Sequence, residues 1–291
     1  MQIKITHSSV YKYEKAVSFS PHYLRIFPRS HKALRWESVH FTTQPEADIQ
    51  YRRDLYDNEF ALCFFPGTES HHLGFYAEFV MELEEVNPFH FLVAPHAVNL
   101  PFSYSEEEQR ILAPARVISR EDAGLVLPFW DYPSEPASTV DTLVSLCDAL
   151  NKQLKYERRE QGRARSPQET IAAGSGACRD TAVLLAAVLR RLGLAARLAS
   201  GYLCEFGDSV HHERRAEGAF HAWTETYLPG AGWIGLDGTN GVLCDHSYIC
   251  TAVGYTPDDI TPIVGSYYAN EQVPSTMTST LDIEQKAKNQ P

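Results

Sequence analysis

The chain has 291 residues, of which 44% are hydrophobic, 11% aromatic and 22% charged, a balance that excludes disorder over most of its length. At roughly 100 to 200 residues per domain there is material for two cores. The 17 Gly and 17 Pro are near ordinary usage and exclude collagenous or low-complexity structure, and the longest apolar run, Thr181 to Leu189, is far shorter than the roughly 18 residues a membrane span needs. With 26 Lys and Arg against 37 Asp and Glu, the net charge of −11 makes nucleic acid and anionic membrane unexpected partners, because phosphate binding needs clustered cations. The one short basic cluster, Arg158, Arg159, Arg163 and Arg165, reads as a solvated loop.

The opening MQIKITHSSVYKYE alternates polar and apolar residues and lacks the unbroken apolar stretch of a signal peptide, so the expected location is cytoplasmic. In a reducing compartment the six dispersed cysteines, with no Cys-x-x-Cys pair, are expected to be mostly free thiols. From Met1 to about residue 105 the period is mostly two, as in QIKITHSSVYKY, WESVHFTT and GFYAEFVMELEEV, with turn signals at Tyr56-Asp57-Asn58-Glu59 and Gly67-Thr68-Glu69-Ser70. This predicts an all-β sandwich domain. Residues 106–137, punctuated by Pro114, Pro128, Pro133 and Pro136, read as a connecting segment, and residues 138–270 as a second domain.

In that second domain the period changes. Val140, Leu143, Val144, Cys147, Leu150 and Leu154 mark an amphipathic helix opened by Ser138 or Thr139. Ser166-Pro167-Gln168-Glu169 has capping-box spacing and predicts a short helix ended by Gly174. The segment from Gly176 to Leu192 is apolar on nearly every side and finishes in Arg190-Arg191 before Gly193, the mark of a core helix. Strands are predicted over Ala196–Leu203, Ala219–Leu228 and Trp233–Leu236, the last two joined through Pro229-Gly230-Ala231-Gly232. Residues 271–291 read as a C-terminal strand or tail, polar throughout and mobile in the last ten or so.

Chemistry concentrates at three residues. Cys178, in GSGACRD, stands where the core helix begins, with Ser175 as candidate N-cap. A thiol there feels unpaired backbone N–H groups and the positive end of the helix dipole, which favour the thiolate. The flanking Gly174 and Gly176 leave the backbone open, so that the Cys178 N–H could face an oxyanion. The same residue is also readable as a small apolar core side chain. His221, in AFHAWTETYL, shares a strand face with Trp223, Glu225 and Tyr227, and is readable either as a base lining a cleft or as a satisfied core histidine. Asp237, on the return strand, could hold the imidazole. If Leu228 faces Trp233 at the turn, Asp237 lies opposite Thr224, three positions from His221, and a bulge or strong twist near Gly235 is required. Zinc on His211-His212 with Cys204 or His221 lacks the second ligand pair of a structural site, and Asp258-Asp259 after Thr256-Pro257 lacks the alternating carboxylates of a calcium loop. No metal and no cofactor are expected.

The stretches GSGACRDTAVLLAAVLRRLGLAARLASGYL and FHAWTETYLPGAGWIGLDGTNG resemble the bacterial transglutaminase-like family, related to papain-type cysteine enzymes. The resemblance runs over about Ser138 to Gly265, and the opening HSSVYKYEKAVSFSPHYLRIFPR resembles the β-rich domain that precedes the core in that family. It implies an α+β papain/transglutaminase-like core behind an all-β sandwich. Cys178 aligns with the family's nucleophile, His221 with its base and Asp237 with the residue that orients the histidine. The implied reaction is thiolate attack on a peptide or amide-containing substrate, through a thioester resolved by water or an amine. Gly238 departs from the proline that many members have after the aspartate, and the nearest upstream glutamine, Gln168, sits in the preceding helix, which leaves a second oxyanion donor unassigned. Trp223 and Tyr202 are candidates to line the cleft. Hydrolysis is the expected outcome. A small-molecule acyltransferase using the same triad and a catalytically inert binding module are the alternatives.

Overall fold

Alternation over Gln2–Phe19 buries Ile3, Ile5, His7 and Ser9 on one face, and this eighteen-residue strand becomes the centre of a sheet. In this computed structural model, which describes residues 1–30, 33–159, 162–204 and 220–286, it pairs antiparallel with Glu69–Leu83, which pairs in turn with Leu34–Gln44. Its other edge is taken by the C-terminal segment: Ser275–Lys286 runs antiparallel to Gln2–Tyr13, and Tyr267–Tyr268 pairs with Ser18–Phe19. A second sheet has the order Ile263–Val264, His22–Leu24, Glu59–Phe64, Asp48–Arg53. The two sheets enclose one core, with Ile3, Ile5, Phe75, Phe79 and Met81 from the first and Leu24, Ala61 and Cys63 from the second. Phe65, Phe75 and Phe79 all face inward. The sandwich therefore uses both ends of the chain, and strand structure extends into the polar C-terminus at least to Lys286.

The second unit is built on one helix and one sheet. Cys178–Arg191 is the central helix, with Leu184, Leu185, Val188 and Leu189 buried. Thr139–Gln153, opened by Ser138 whose hydroxyl accepts from Asp141 N–H, packs its Leu143, Leu146, Cys147 and Leu150 into the same cluster. Pro167–Ala173 carries the predicted reciprocal capping box between Ser166 and Glu169 and stops at Gly174, which takes the left-handed conformation at φ 60°. The sheet has the order Val242–Leu243, Gly232–Asp237, Phe220–Leu228, Ala195–Leu203, Tyr248–Gly254, all antiparallel. Leu198, Ala222, Leu236 and Ala252 from its strands join the helices in one cluster. This is an α+β fold. The connecting segment is itself ordered: Glu106–Ile111 is a short helix capped by Ser105, and Leu125 and Leu127 pack on the helical core.

Buried side chains on both units fix the sandwich to the core sheet. The side chain of Asn58, fully buried, donates to Val253 O at 2.7 Å and accepts from Val253 N–H at 2.8 Å, so it pairs with the edge strand as another strand would. Tyr202, at the end of its strand, passes into the sandwich core beside Phe79 and Phe220, where its hydroxyl donates to Ile26 O at 2.9 Å. Among the described residues no helix is long and apolar enough to cross a membrane.

Candidate active site

Cys178 is the first residue of the central helix. The turn before it is tied down because Ser175–Gly176 pairs in parallel with Lys155–Tyr156, and Glu157 N–H donates to Gly176 O at 2.9 Å. Ser175 is not the cap that its spacing suggested. Its hydroxyl donates to Glu157 Oε2 at 3.1 Å, while Ala177 occupies the cap position (φ −78°, ψ 169°) and donates its N–H to Asp180 Oδ2 at 2.8 Å.

His221 Nε2 donates to Asp237 Oδ2 at 2.7 Å, with both side chains buried. The hairpin register makes this contact without a bulge. Leu228 pairs with Gly232 and Thr224 with Leu236, one residue off the register expected from the turn. Continued by one step, that register sets Asp237 beside Trp223, two residues from His221 on the same face. On the other side of the histidine strand, His221 pairs in unbroken register with Gly201, whose own strand shifts register against Tyr248–Gly254 at that point, and a Cβ on Gly201 would lie 2.0 Å from Ile249 O. No side chain can stand there. Asp237 is held in turn by Tyr248 Oη at 2.8 Å and Asn240 Nδ2 at 2.6 Å on Oδ2, and by Thr239 N–H at 2.8 Å on Oδ1. Its loop is also fixed by packing: a Cβ on Gly238 would meet Leu150 Cδ1 at 2.9 Å and Thr181 Cγ2 at 3.1 Å, so glycine at this position lets the helices Thr139–Gln153 and Cys178–Arg191 close over it.

The electrostatics follow from these neighbours. Burial opposes ionisation of Asp237, but the adjacent His221 charge and the donated hydrogen bonds outweigh it and hold the carboxyl below its ordinary range. Burial likewise opposes the imidazolium, and the charge of Asp237, its hydrogen bond and the Cys178 thiol reverse the effect, so His221 stands well above its ordinary value. At Cys178 burial raises the thiol, while His221 and the Ala222 backbone pull it below its ordinary value. With Nε2 taken by Asp237, Nδ1 is the ring nitrogen left for sulfur. Nδ1 makes no hydrogen bond among the described residues, and it is through this side of the ring that His221 acts on the sulfur. Four other thiols move the opposite way: burial pushes Cys63 up to about 12 and raises Cys147, Cys244 and Cys250.

Two sequence expectations fail here. Trp223 is 2% exposed, stacks on the His221 ring at 6.3 Å between centroids and receives Tyr248 edge-on, so it packs against the imidazole and does not line a cleft. Tyr202 is fully buried and belongs to the sandwich core. Gln168 donates to Glu121 O and Asp122 Oδ1 and is occupied by the connecting segment. The basic cluster is largely neutralised, since Arg159, Arg163 and Arg165 pair with Asp180, Glu169 and Glu157. His211 and His212 lie outside the described residues, among which no three His, Cys, Asp or Glu side chains converge as a metal-binding set. Sequence reasoning missed Asn240 and Tyr248. Asn240 was discoverable, three residues after Asp237 in a DGTNG turn. Tyr248 was not, because its strand went unrecognised.

A cysteine opening a buried helix, a strand histidine and a carboxylate on the neighbouring strand, set in an α+β core, define a cysteine-enzyme fold of the papain and transglutaminase-like kind. Residues 132–238 match the transglutaminase-like superfamily and residues 3–82 the bacterial transglutaminase-like N-terminal region. The chain belongs to the bacterial transglutaminase-like family. It is 27% identical over 283 residues, 92% of this chain and 88% of the relative, to an uncharacterized protein of Mycobacterium tuberculosis. An uncharacterized protein of Mycobacterium leprae is 26% identical over 278 residues, 91% of this chain and 93% of the relative. Among solved structures, a candidate cysteine protease from Cytophaga hutchinsonii shares the fold with a TM-score of 0.71 at 17% identity, over 99% of this chain and 92% of that one.

Proposed function

We propose that the protein is a cysteine peptidase or amidase with Cys178 as nucleophile, His221 as acid and base, and Asp237 as the group that orients and charges the imidazole. The observation that carries this reading is the buried His221–Asp237 pair beside Cys178, whose thiol is lowered. The Cys178 thiolate attacks the carbonyl carbon of an amide, and the Cys178 N–H at the helix start meets the developing oxyanion. Collapse of that intermediate breaks the C–N bond, with the proton on His221 Nδ1 passing to the leaving amine. Water then gives a proton back to His221 as its oxygen attacks the thioester, which releases the carboxylic acid and restores the thiolate. Resolution by a primary amine differs only in the last acceptor.

A fluorogenic peptide-amide library tests the reading, with a dansylated primary amine and an acyl-coenzyme A plus arylamine run in parallel. Amine release that disappears in Cys178→Ala, without incorporation of the dansyl label, is the expected result. Turnover of acyl-coenzyme A in place of the amides would replace hydrolysis with small-molecule acyl transfer.

A further inference from the structure

Asp180 is 0% exposed, lies two residues past the nucleophile and has no part in the chemistry above. Its oxygens face the groups that shape the turn into the helix. Oδ2 accepts Ala177 N–H at 2.8 Å, and Oδ1 accepts Arg165 N–H at 2.8 Å and Arg159 Nη2 at 2.9 Å. A carboxylate at this place has two opposed effects. It satisfies an N–H at the helix start, but an unneutralised negative charge so near sulfur disfavours the thiolate. Arg159 supplies the counter-charge by direct contact, and its guanidinium is braced on Arg163 O at 2.9 Å.

A second ion pair grips the other side of the turn. Arg165 Nη1 reaches Glu157 Oε2 at 3.1 Å and Ser175 O at 2.9 Å, and Glu157 receives the Ser175 hydroxyl. Residues 175–177 are thus held from both sides, while the Cys178 N–H meets no acceptor among the described residues. The geometry points to Asp180, with its counter-ion Arg159, as a positioning residue for Cys178: the neutralised carboxylate fixes the Ala177–Cys178 turn so that the thiol meets His221 and the Cys178 N–H stays open to substrate. This rests on the thiolate chemistry proposed above. Among the described residues, titratable groups coupled to the Cys178 thiol are His221 and Asp237 from two strands and Tyr156, whose hydroxyl the thiol raises. Substitutions at 159 and 180 leave all three in place.

The test follows iodoacetamide alkylation of Cys178 against pH, with thermal denaturation in parallel, in wild type, His221→Ala, Arg159→Met, Arg159→Lys and Asp180→Asn. Arg159→Met leaves the buried carboxylate uncompensated and should raise the alkylation midpoint by about one pH unit, about tenfold in rate on the acid side. Arg159→Lys should restore the wild-type midpoint. Removal of the Asp180 charge would by itself lower the midpoint, so an upward shift in Asp180→Asn reports lost positioning. If Asp180→Asn does not fold, the partly exposed Arg159 decides. A low wild-type midpoint that is lost in His221→Ala but unmoved by Arg159→Met and Asp180→Asn, or a downward shift in Asp180→Asn, overturns the positioning role alone. An ordinary wild-type midpoint, indifferent to His221→Ala, overturns the thiolate chemistry and the positioning role together.

Discussion

His7 in the β-sandwich and His221 in the core are 5% and 1% exposed, yet their surroundings drive them to different charge states. Tyr202 donates its hydroxyl hydrogen to Ile26 O, so toward His7 it is an acceptor: Nδ1–H donates to Tyr202 Oη at 3.1 Å, and Nε2 is left to accept from Ser9 Oγ at 3.1 Å. All of these partners are neutral, and burial pushes His7 down to about 4. His221 suffers the same desolvation and is raised, because Asp237 faces it with a full charge at 2.7 Å. Burial sets the cost of ionising an imidazole, and the partner decides whether that cost is met. One histidine ties two units together as a neutral linker. The other is held as a cation beside a thiol.

The sharpest way to break this contrast is to remove the carboxylate. Asp237→Ala strands the buried imidazole and the donors around it, and should cost about 3 to 5 kcal/mol of stability, measured by chemical denaturation. In whatever fraction remains folded, Cys178 should lose its alkylation advantage at pH 6. Next in size is the opposite pH dependence of the two histidines. The folded pKa of His7 is depressed, so its contribution to stability is full above about 6.5, the unfolded value, and is lost as pH falls toward 4, by up to roughly 3 kcal/mol. That of His221 is raised, so its contribution is full below about 6.5 and is lost as pH rises toward the folded value. The difference in stability between wild type and His7→Gln should therefore shrink in acid, and that between wild type and His221→Gln should shrink in alkali. Differences with the same slope would contradict the account.

The smallest effect is expected of Tyr248→Phe, which removes one of several donors to Asp237 and should cost about 1 to 2 kcal/mol. Cys178 alkylation at pH 6 should fall less than tenfold. A loss as large as that of Asp237→Ala would mean that Tyr248 does more than support the carboxylate.

The starts and stops of Thr139–Gln153 and Pro167–Ala173 were legible because capping chemistry is local. Ser138, the Ser166–Glu169 box and Gly174 all act within a few residues of themselves. The cap of the central helix was not: the Ser175 hydroxyl is drawn away to Glu157, and the Asp180 carboxylate that takes the Ala177 N–H is held by Arg159 and Arg165, all three distant in sequence. Cys178, His221 and Asp237 could be picked out by residue type and resemblance, but the contact between the last two depended on a register that shifts by one residue according to which pair closes the hairpin. Trp223 and Tyr202 were misread because strands buried on both faces lose the alternation that separates a cleft from a core. Residues 275–285 of the last strand are almost wholly exposed, so its edge pairing left no hydrophobic period to read.

The most direct measurement is the alkylation rate of each cysteine against pH, mapped by peptide mass spectrometry, in wild type and His221→Ala. An unperturbed thiol titrates near 8.5. The account predicts that Cys178 alone reacts fast at pH 6 and that this advantage vanishes without His221. If Cys178 is as slow at pH 6 as the buried Cys63, or keeps its reactivity in His221→Ala, the charged Cys178–His221–Asp237 arrangement does not exist in the molecule.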